Sequence, residues 1–154
     1  MAFRKKVSFL GFIVGSLVDI VGTNIWGVFI TIYVLISFNL LAMAQSSPGE
    51  ITGRIYTIFK TDPVVFSANL IVGSLFSILG GYISASIAKH DELLNGALSS
   101  FLCVGSGLIS FFINPQSTSI LLVIISLVLS PLLAMFGGFL RLKQQIRKQV
   151  KLAI

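Results

Sequence analysis

Charged residues, and acidic ones above all, are scarce in this chain. Of its 154 residues, 10% are Asp, Glu, Lys or Arg, only five are acidic, and 55% are hydrophobic. A soluble domain carries charges on about a quarter of its residues. Long uncharged apolar runs are instead typical of helices that cross a bilayer. The composition therefore excludes a soluble globular domain and predicts an integral membrane protein.

Reactive and metal-binding side chains are also rare. The chain has one cysteine, Cys103, so no intramolecular disulfide can form, and one histidine, His90. His90 precedes Asp91 and Glu92, but adjacent side chains rarely converge on one ion, and Asp91 is better explained as the N-cap of the next helix. No serine has a base partner and no glycine run has the spacing of a phosphate loop. We expect no catalytic residue, no metal and no cofactor.

Four apolar stretches predict an all-α membrane protein, built as a four-transmembrane-helix bundle in a single domain over residues 1–154. The stretches are about 7–44, 63–88, 93–113 and 118–140, followed by a basic tail at 141–154. About 20 residues are needed to cross a 30 Å hydrocarbon core. The connectors at 89–92 and 114–117 are short, which makes consecutive helices antiparallel neighbours.

The first stretch is longer than one crossing requires. Either the helix projects beyond the bilayer, or residues 3–20 lie along the cytoplasmic interface. The basic residues at 4–6 and the sequence Ala42-Met43-Ala44 also fit a secretory signal peptide. The apolar region, however, far exceeds the roughly 7–15 residues of a signal core, so we interpret the stretch as an uncleaved helix.

Lysine and arginine are distributed unevenly around these spans. With both termini in the cytoplasm, nine would lie on that side and two on the other. The nine are Arg4, Lys5, Lys6, Lys89, Arg141, Lys143, Arg147, Lys148 and Lys151, and the two are Arg54 and Lys60. This bias predicts that both termini lie in the cytoplasm. Basic clusters beside apolar spans pair with anionic headgroups, so we expect anionic lipid at the tail and no nucleic acid.

The segment between the first two spans carries a helix signal of its own. Ser47 is followed three residues later by Glu50, with Pro48 between them, which is a capping box with a preorganised start. Ile51, Ile55, Ile58 and Phe59 share one face, and Thr52, Arg54 and Lys60 point elsewhere. The pattern predicts a short amphipathic helix on the outer membrane surface, near residues 48–60; an ordinary polar loop is the alternative.

Small residues recur at four-residue spacing in every span. Helix association in lipid depends on such residues because they let two backbones approach closely. The candidate packing residues are Gly73, Ser77, Gly80, Gly81 and Ala85 in the second span, Gly96 in the third and Gly138 in the fourth. We expect them to close a compact bundle. A second copy of the chain or another membrane protein would bind to any small-residue helix face that the bundle itself does not bury.

One carboxyl group lies inside an apolar span. Asp19 shares a helical face with Gly15 and Thr23, so we expect it to face protein. An aspartate at mid-membrane costs about 2.5–3.5 kcal/mol on insertion scales, and such groups pair, take up a proton or line a water path. Asp19, Thr23 and Asn24 are therefore the candidate ion or proton site. The alternatives for Asp19 are a hydrogen-bonded packing residue or a group at the inner interface near the basic N-terminus.

The helical hairpin at residues 80–102 combines a Gly-Gly-aromatic sequence, a basic inner loop and a Leu-Leu-x-Gly-Ala sequence. The positions are Gly80, Gly81, Tyr82, Ala85, Ala88, Leu93, Leu94, Gly96 and Ala97. This pattern resembles small uncharacterised bacterial inner-membrane proteins, which implies a bacterial membrane protein and brings no catalytic residues. A looser analogy is to small multidrug-resistance transporters, which also have four spans and an acidic residue in the first. Those chains are shorter and have a weak charge bias.

Two functions stay open on these grounds. An accessory or scaffold subunit would act through the small-residue helix faces. A small transporter or channel would use Asp19 as its ion- or proton-binding group. An enzyme would need a reactive constellation, and the sequence offers none.

The predicted topology can be tested by cysteine labelling. Single cysteines are placed at Ser47, Gln116 and Gln149, with Cys103 replaced by alanine, and intact cells are treated with a membrane-impermeant maleimide. Positions 47 and 116 are expected to react in intact cells, and position 149 only after permeabilisation, because the basic tail stays in the cytoplasm. Labelling of position 149 from outside would reverse the orientation.

Overall fold

The computed structural model describes residues 7–43, 48–113 and 120–152, which are helical apart from short turns, with no strand in these ranges. The helices are α1 (Phe9–Ser37), α2 (Pro48–Thr61), α3 (Pro63–Ala88), α4 (Glu92–Ser99), α5 (Phe101–Ile113) and α6 (Ile120–Leu152), with a 3₁₀ turn at Leu40–Met43. Four stretches are long and apolar enough to cross a membrane: Phe9–Ser37, Pro63–Ala88, Glu92–Ile113 and Val123–Lys151. The all-helical class and the four spans expected from the sequence are confirmed, and the chain is a multi-pass membrane protein.

The long first stretch forms a single helix. α1 runs without a break from Phe9 to Ser37, which is about 43 Å at 1.5 Å per residue. Residues 9–20 are therefore part of the same continuous helix as the rest of the stretch. The basic residues at 4–6, Ser47 of the capping box and the connector at 114–117 lie outside the described residues.

The third predicted span is divided at Ser100, between α4 and α5. The Ser100 N–H bonds to the carbonyl of Ala97, three residues earlier, at 3.3 Å. The Ser100 hydroxyl donates to the same carbonyl at 2.9 Å, and the Ser99 hydroxyl donates to the Gly96 carbonyl at 2.7 Å. Serine side chains compete for backbone carbonyls in this way and locally tighten a helix. The interruption is therefore a consequence of the two adjacent serines.

The fourth span continues into the basic segment. α6 passes through Pro131 and extends to Leu152, so the basic tail from residue 141 continues the fourth helix, which is one of the two arrangements that its sequence allows. Beyond Gly138 the segment lacks Gly and Pro and is rich in Lys, Arg, Gln and Leu, which are good helix formers. Nothing in the local sequence therefore ends the helix at the predicted boundary.

Residues 1–21 and 74–154 form one compact unit, and residues 22–73 form a second. In the first unit, helices meet at backbone distance. A Cβ added to Gly81 of α3 would overlap the carbonyl of Ala134 on α6. A Cβ added to Gly15 of α1 would lie 2.6 Å from the carbonyl oxygen of Gly80. These glycines let α3 contact both α6 and α1 directly.

The second unit has an apolar side-chain core. Its buried members are Ile30, Val34, Leu40 and Val65, surrounded by Trp26, Leu35, Ile55, Ile58, Phe59 and Ala68. The Trp26 indole N–H donates to the Asn69 Oδ1 at 3.0 Å, which links α1 to α3 within this unit. The half-buried isoleucines and Phe59 of α2 belong to this core, while its charged residues Arg54 and Lys60 are exposed.

The turn between α3 and α4 has left-handed backbone angles at two non-glycine residues. The φ angles are 58° at Lys89 and 43° at Asp91, and such angles cost about 1–2 kcal/mol per residue. Asp91 occupies the N-cap position, as expected, but its side chain makes no capping hydrogen bond. An N-cap side chain reaches the backbone from extended angles, and the left-handed conformation removes that geometry.

The backbone contact at Gly81 predicts a stability difference between two glycines of α3. We expect Gly81→Ala to lower the free energy of unfolding by about 1–3 kcal/mol, because the added methyl group meets the backbone of α6. At Gly73 no described atom lies within 4 Å of an added Cβ, so Gly73→Ala should be neutral or stabilise by up to about 1 kcal/mol. Unfolding of both variants in detergent micelles measures the difference; equal effects would contradict the packing.

Candidate functional site

Asp19 is buried inside the first unit, with 1% of its surface exposed. It lies one turn after Gly15 on the face of α1 that contacts α3, and a Cβ added to Gly80 would lie 3.2 Å from the Asp19 Cβ. The Ser77 hydroxyl on α3 donates to the two carboxylate oxygens, at 3.1 Å and 3.3 Å. Asp19 therefore faces protein, and its first hydrogen-bond partner comes from the neighbouring helix.

A third helix also lies close to the carboxyl group. It brings the half-buried thiol of Cys103 on α5 near Asp19. From the sequence, Cys103 is identified only as an unpaired cysteine and Ser77 only as a packing residue. A usable signal was present, because a buried carboxyl needs polar partners and these two short side chains lie in small-residue positions of adjacent spans.

This arrangement satisfies the carboxyl group in either protonation state. A carboxylate accepts from the Ser77 hydroxyl, and a neutral acid can donate its own proton to the same hydroxyl oxygen. Hydrogen bonds in a low-dielectric environment are electrostatically stronger than in water. We name Asp19, Ser77 and the nearby Cys103 the carboxyl clamp; they lie on α1, α3 and α5, and the Ser77–Asp19 bonds join α3 to α1.

Thr23 and Asn24, the other two candidate site residues, lie further along α1. Thr23 is half-buried and Asn24 is exposed. Both line an open cavity of about 650 Å³ in the second unit. The remaining lining residues are Gly27, Val28, Thr31 and Ile32 of α1 and Tyr56 and Phe59 of α2. The cavity wall is thus a mixture of amide, hydroxyl and aromatic groups.

Asn95 organises a second polar cluster that the sequence analysis missed. It is fully buried, and its Oδ1 accepts a hydrogen bond from the Ser8 N–H at 2.7 Å. Its Nδ2 donates to the carbonyl oxygens of His90 and Asp91, at 2.9 Å and 3.1 Å. The Ser84 hydroxyl donates to the Asn95 carbonyl at 2.8 Å. Asn95 therefore ties the beginning of α1 and the end of α3 to the left-handed turn.

Buried serine hydroxyls complete the contact between α1 and α4. The Ser16 hydroxyl lies 2.6 Å from the Ser99 carbonyl oxygen and 2.7 Å from the Phe12 carbonyl oxygen of its own helix. An added Cβ at Gly15 would lie 3.0 Å from the Ser99 Cβ, so the two helices are in close contact here. The polar groups in this contact are hydrogen bonded, as buried polar groups generally are.

The candidate packing residues fall into two groups. Those in direct contact with other helices or fully enclosed are Ser77, Gly80, Gly81, Ala85, Gly96 and Gly138. For example, an added Cβ at Gly96 would lie 2.8 Å from the Ala134 carbonyl oxygen. Gly73 differs, because it is only half-buried and no described atom lies within 4 Å of an added Cβ. The close packing expected at Gly73 is therefore not found.

The inner turn does not assemble a metal-ligand cluster. His90 and Asp91 are exposed and adjacent in the chain. Within the ranges that the structure describes, no three His, Cys, Asp or Glu side chains come together. A cavity of about 310 Å³ beside this turn is lined by Asp91, Glu92, Leu93, Leu94 and Leu142, which are mostly apolar side chains.

The Asn95 cluster predicts a large loss of stability in one variant. Asn95→Ala removes the acceptor of the Ser8 N–H and the side-chain donor to two turn carbonyls, of which the Asp91 carbonyl keeps its bond from the residue 95 N–H, so we expect the free energy of unfolding to fall by about 2–4 kcal/mol. Ser106→Ala is the control, because the exposed Ser106 hydroxyl bonds only within its own helix. The measurement is unfolding in detergent micelles. A similar, small effect of both substitutions would show that Asn95 is not needed for the turn.

Comparison with known proteins leaves the site to be interpreted from its own geometry. No family model, no curated protein and no solved structure matches this chain.

Proposed function

We propose that this chain is a bacterial inner-membrane protein with both termini in the cytoplasm, acting as an accessory or scaffold subunit without enzymatic activity of its own. The observation that carries the proposal is the enclosed carboxyl clamp. Asp19 is nearly inaccessible, is hydrogen bonded to Ser77 of the neighbouring helix α3, and has Cys103 of α5 nearby. A buried carboxyl group that is hydrogen bonded across a helix contact stabilises that contact, which fits a rigid structural subunit.

The orientation is supported by the positive-inside distribution of lysine and arginine. Lys89 directly follows α3, and the basic part of α6 lies at the C-terminal end of that helix, whereas Arg54 and Lys60 belong to α2. Placing Lys89 and the basic part of α6 in the cytoplasm agrees with the rule that cytoplasmic segments carry the excess of lysine and arginine. In this orientation α2 lies at the outer membrane surface and α6 brings its basic residues to anionic lipid.

A binding partner is supported by the apolar surface that the first unit leaves open. α5 has no buried residue, and residues 124–129 of α6 are all exposed. Such surfaces accept either lipid or another helix, and helix association in lipid proceeds through close packing. We propose a membrane-protein partner or a second copy of this chain as the occupant in the assembled subunit.

A small transporter or channel is the second candidate function. It is favoured by the chemical nature of the clamp, because a buried carboxyl group with a hydroxyl partner and a thiol nearby can bind a proton or a small cation. In this case Asp19 would be the ion-binding group, with Thr23 and Asn24 further along the same helix. Access would require α1 and α3 to separate, since Gly80 and Asp19 are in direct contact.

Asp19→Asn separates the two functions. Asparagine keeps the size and the ability to accept from Ser77, but it cannot carry a charge or exchange a proton. For a scaffold, the variant should unfold within about 1 kcal/mol of the wild type, bind the same co-purifying proteins and show the same absence of flux in proteoliposomes. For a transporter, flux should be robust in the wild type and lost in the variant.

The matched control is Asp91→Asn, which makes the same chemical change at an exposed position. Robust wild-type flux that is abolished by Asp19→Asn but not by Asp91→Asn would overturn the scaffold proposal. A partner that co-purifies with both variants, with no flux of any tested ion, is the result expected for a scaffold.

A further inference from the structure

The open cavity of about 650 Å³ in the second unit is a groove between α1 and α2, and we call it the α1–α2 groove. Its wall on α1 extends from Thr23 to Ile32, which is about 14 Å at 1.5 Å per residue. Thr23 lies at the middle of α1 and Ile32 lies nearer its C-terminal end. In a helix that crosses the bilayer, the groove therefore runs from mid-membrane depth toward one surface.

The groove has a fixed shape because both of its walls belong to the core of the second unit. Ile58 and Phe59 of α2 pack against the buried residues of that core, and two of these, Ile30 and Val34, come from α1. The groove lies beside this contact, and Phe59 takes part in both. Its volume is within the range of about 300–1,000 Å³ that small-molecule sites have.

The polar groups of the groove are uncharged and accessible. None of the eight described residues that line it is Asp, Glu, Lys, Arg or His. Asn24 and Tyr56 line the groove and are exposed. The Tyr56 hydroxyl is a donor, and the Asn24 amide has two N–H groups, so it can donate to a ligand as well as to the protein. The Thr31 hydroxyl instead donates to the Gly27 carbonyl at 2.7 Å. The groove therefore favours an uncharged ligand that carries hydrogen-bond acceptors.

The walls of the groove also favour a flat ligand. On α1, no described atom lies within 4 Å of a Cβ added to Gly27, so the wall is open at the glycine backbone. On α2, Tyr56 and Phe59 are three residues apart, which places their side chains next to each other on one helix face. Aromatic rings stack favourably on one another. A space with a glycine on one wall and two aromatic rings on the other is suited to a planar ring.

We propose that the α1–α2 groove binds a lipid-soluble molecule with a flat, uncharged ring that bears carbonyl oxygens, which is the chemistry of a quinone. The ring lies between Gly27 and the aromatic side chains of α2, and its oxygens accept from the Tyr56 hydroxyl and the Asn24 amide. A phospholipid acyl chain could fill the same volume, but it brings no acceptor to these donors. The inference goes beyond the proposed function, because it depends on neither the scaffold role nor transport.

The single tryptophan of the chain reports on the groove, because Trp26 directly precedes Gly27 and quinones quench indole fluorescence at short range. Full-length protein in phosphatidylcholine nanodiscs is titrated with a benzoquinone that carries a decyl tail, and we expect saturable quenching. Gly27→Leu places a side chain in the groove and should weaken binding at least about tenfold. Gly105→Leu is the matched control, since an added Cβ there also meets no described atom within 4 Å, and it should leave the affinity unchanged.

A second pair of variants tests the hydrogen bond without changing the shape of the groove. Tyr56→Phe removes one donor and keeps the ring, so the affinity should fall about three- to tenfold. Tyr33→Phe makes the same change at an exposed tyrosine of α1 that does not line the groove, and it should have no effect.

Three results would overturn the proposal. Quenching that rises without saturation, or that is equal in the wild type and Gly27→Leu, would show that the quinone acts from the lipid and not from a site. Displacement of the quinone by an equal concentration of a straight-chain ketone, seen as recovery of Trp26 fluorescence, would show that the ring is not recognised. A dimer in detergent that Gly27→Leu dissociates, measured by light scattering, would identify a second copy of α1 as the occupant. These measurements are independent of flux and of co-purifying proteins, which test the scaffold role.

Discussion

The direct contact of α3 with its neighbours is the constraint on which the first unit depends. Gly80 faces Gly15 of α1, and Gly81 faces Ala134 of α6, so that helix backbones touch on both sides. Lipid offers little hydrophobic driving force between helices, and close packing together with interhelical hydrogen bonds replaces it. Polar side chains in these contacts have to be short and satisfied within the contact. The buried serines, Asn95 and Asp19 meet this requirement.

The same constraint determines how the buried carboxyl group should be understood. An ionisable residue inside a membrane span is by default a candidate functional site. Here the carboxyl group is enclosed because α1 approaches the glycine face of α3, and both of its oxygens accept from Ser77. Transport through this position would require the backbone contact itself to open. A structural role needs no such movement, which is why the scaffold function is the simpler interpretation.

The two units reach stability by different chemistry. The first unit buries glycine, alanine, serine and amide groups, whereas the second buries Val34, Val65 and their apolar neighbours. In the first unit specificity therefore depends on hydrogen bonds that fix individual residues, such as those of Asn95 and Ser16. In the second unit it depends on the shape of apolar side chains, with Trp26 and Asn69 supplying one polar link. Substitutions in the first unit should accordingly be sensitive to polarity and those in the second to volume.

The sequence by itself determined the helical class, the four spans and the inward-facing position of Asp19, because hydropathy and small-residue spacing are local properties that lipid enforces directly. It could not assign the neighbours of Asp19, since Ser77 and Cys103 are distant from it in sequence and come close to it only in the folded first unit. It also did not reveal the structural role of Asn95. That role depends on a left-handed turn formed by non-glycine residues, which the local sequence does not predict. At Gly73 the four-residue spacing is present, but no described atom lies within 4 Å of an added Cβ, because spacing defines a face and only the tertiary structure decides what that face touches.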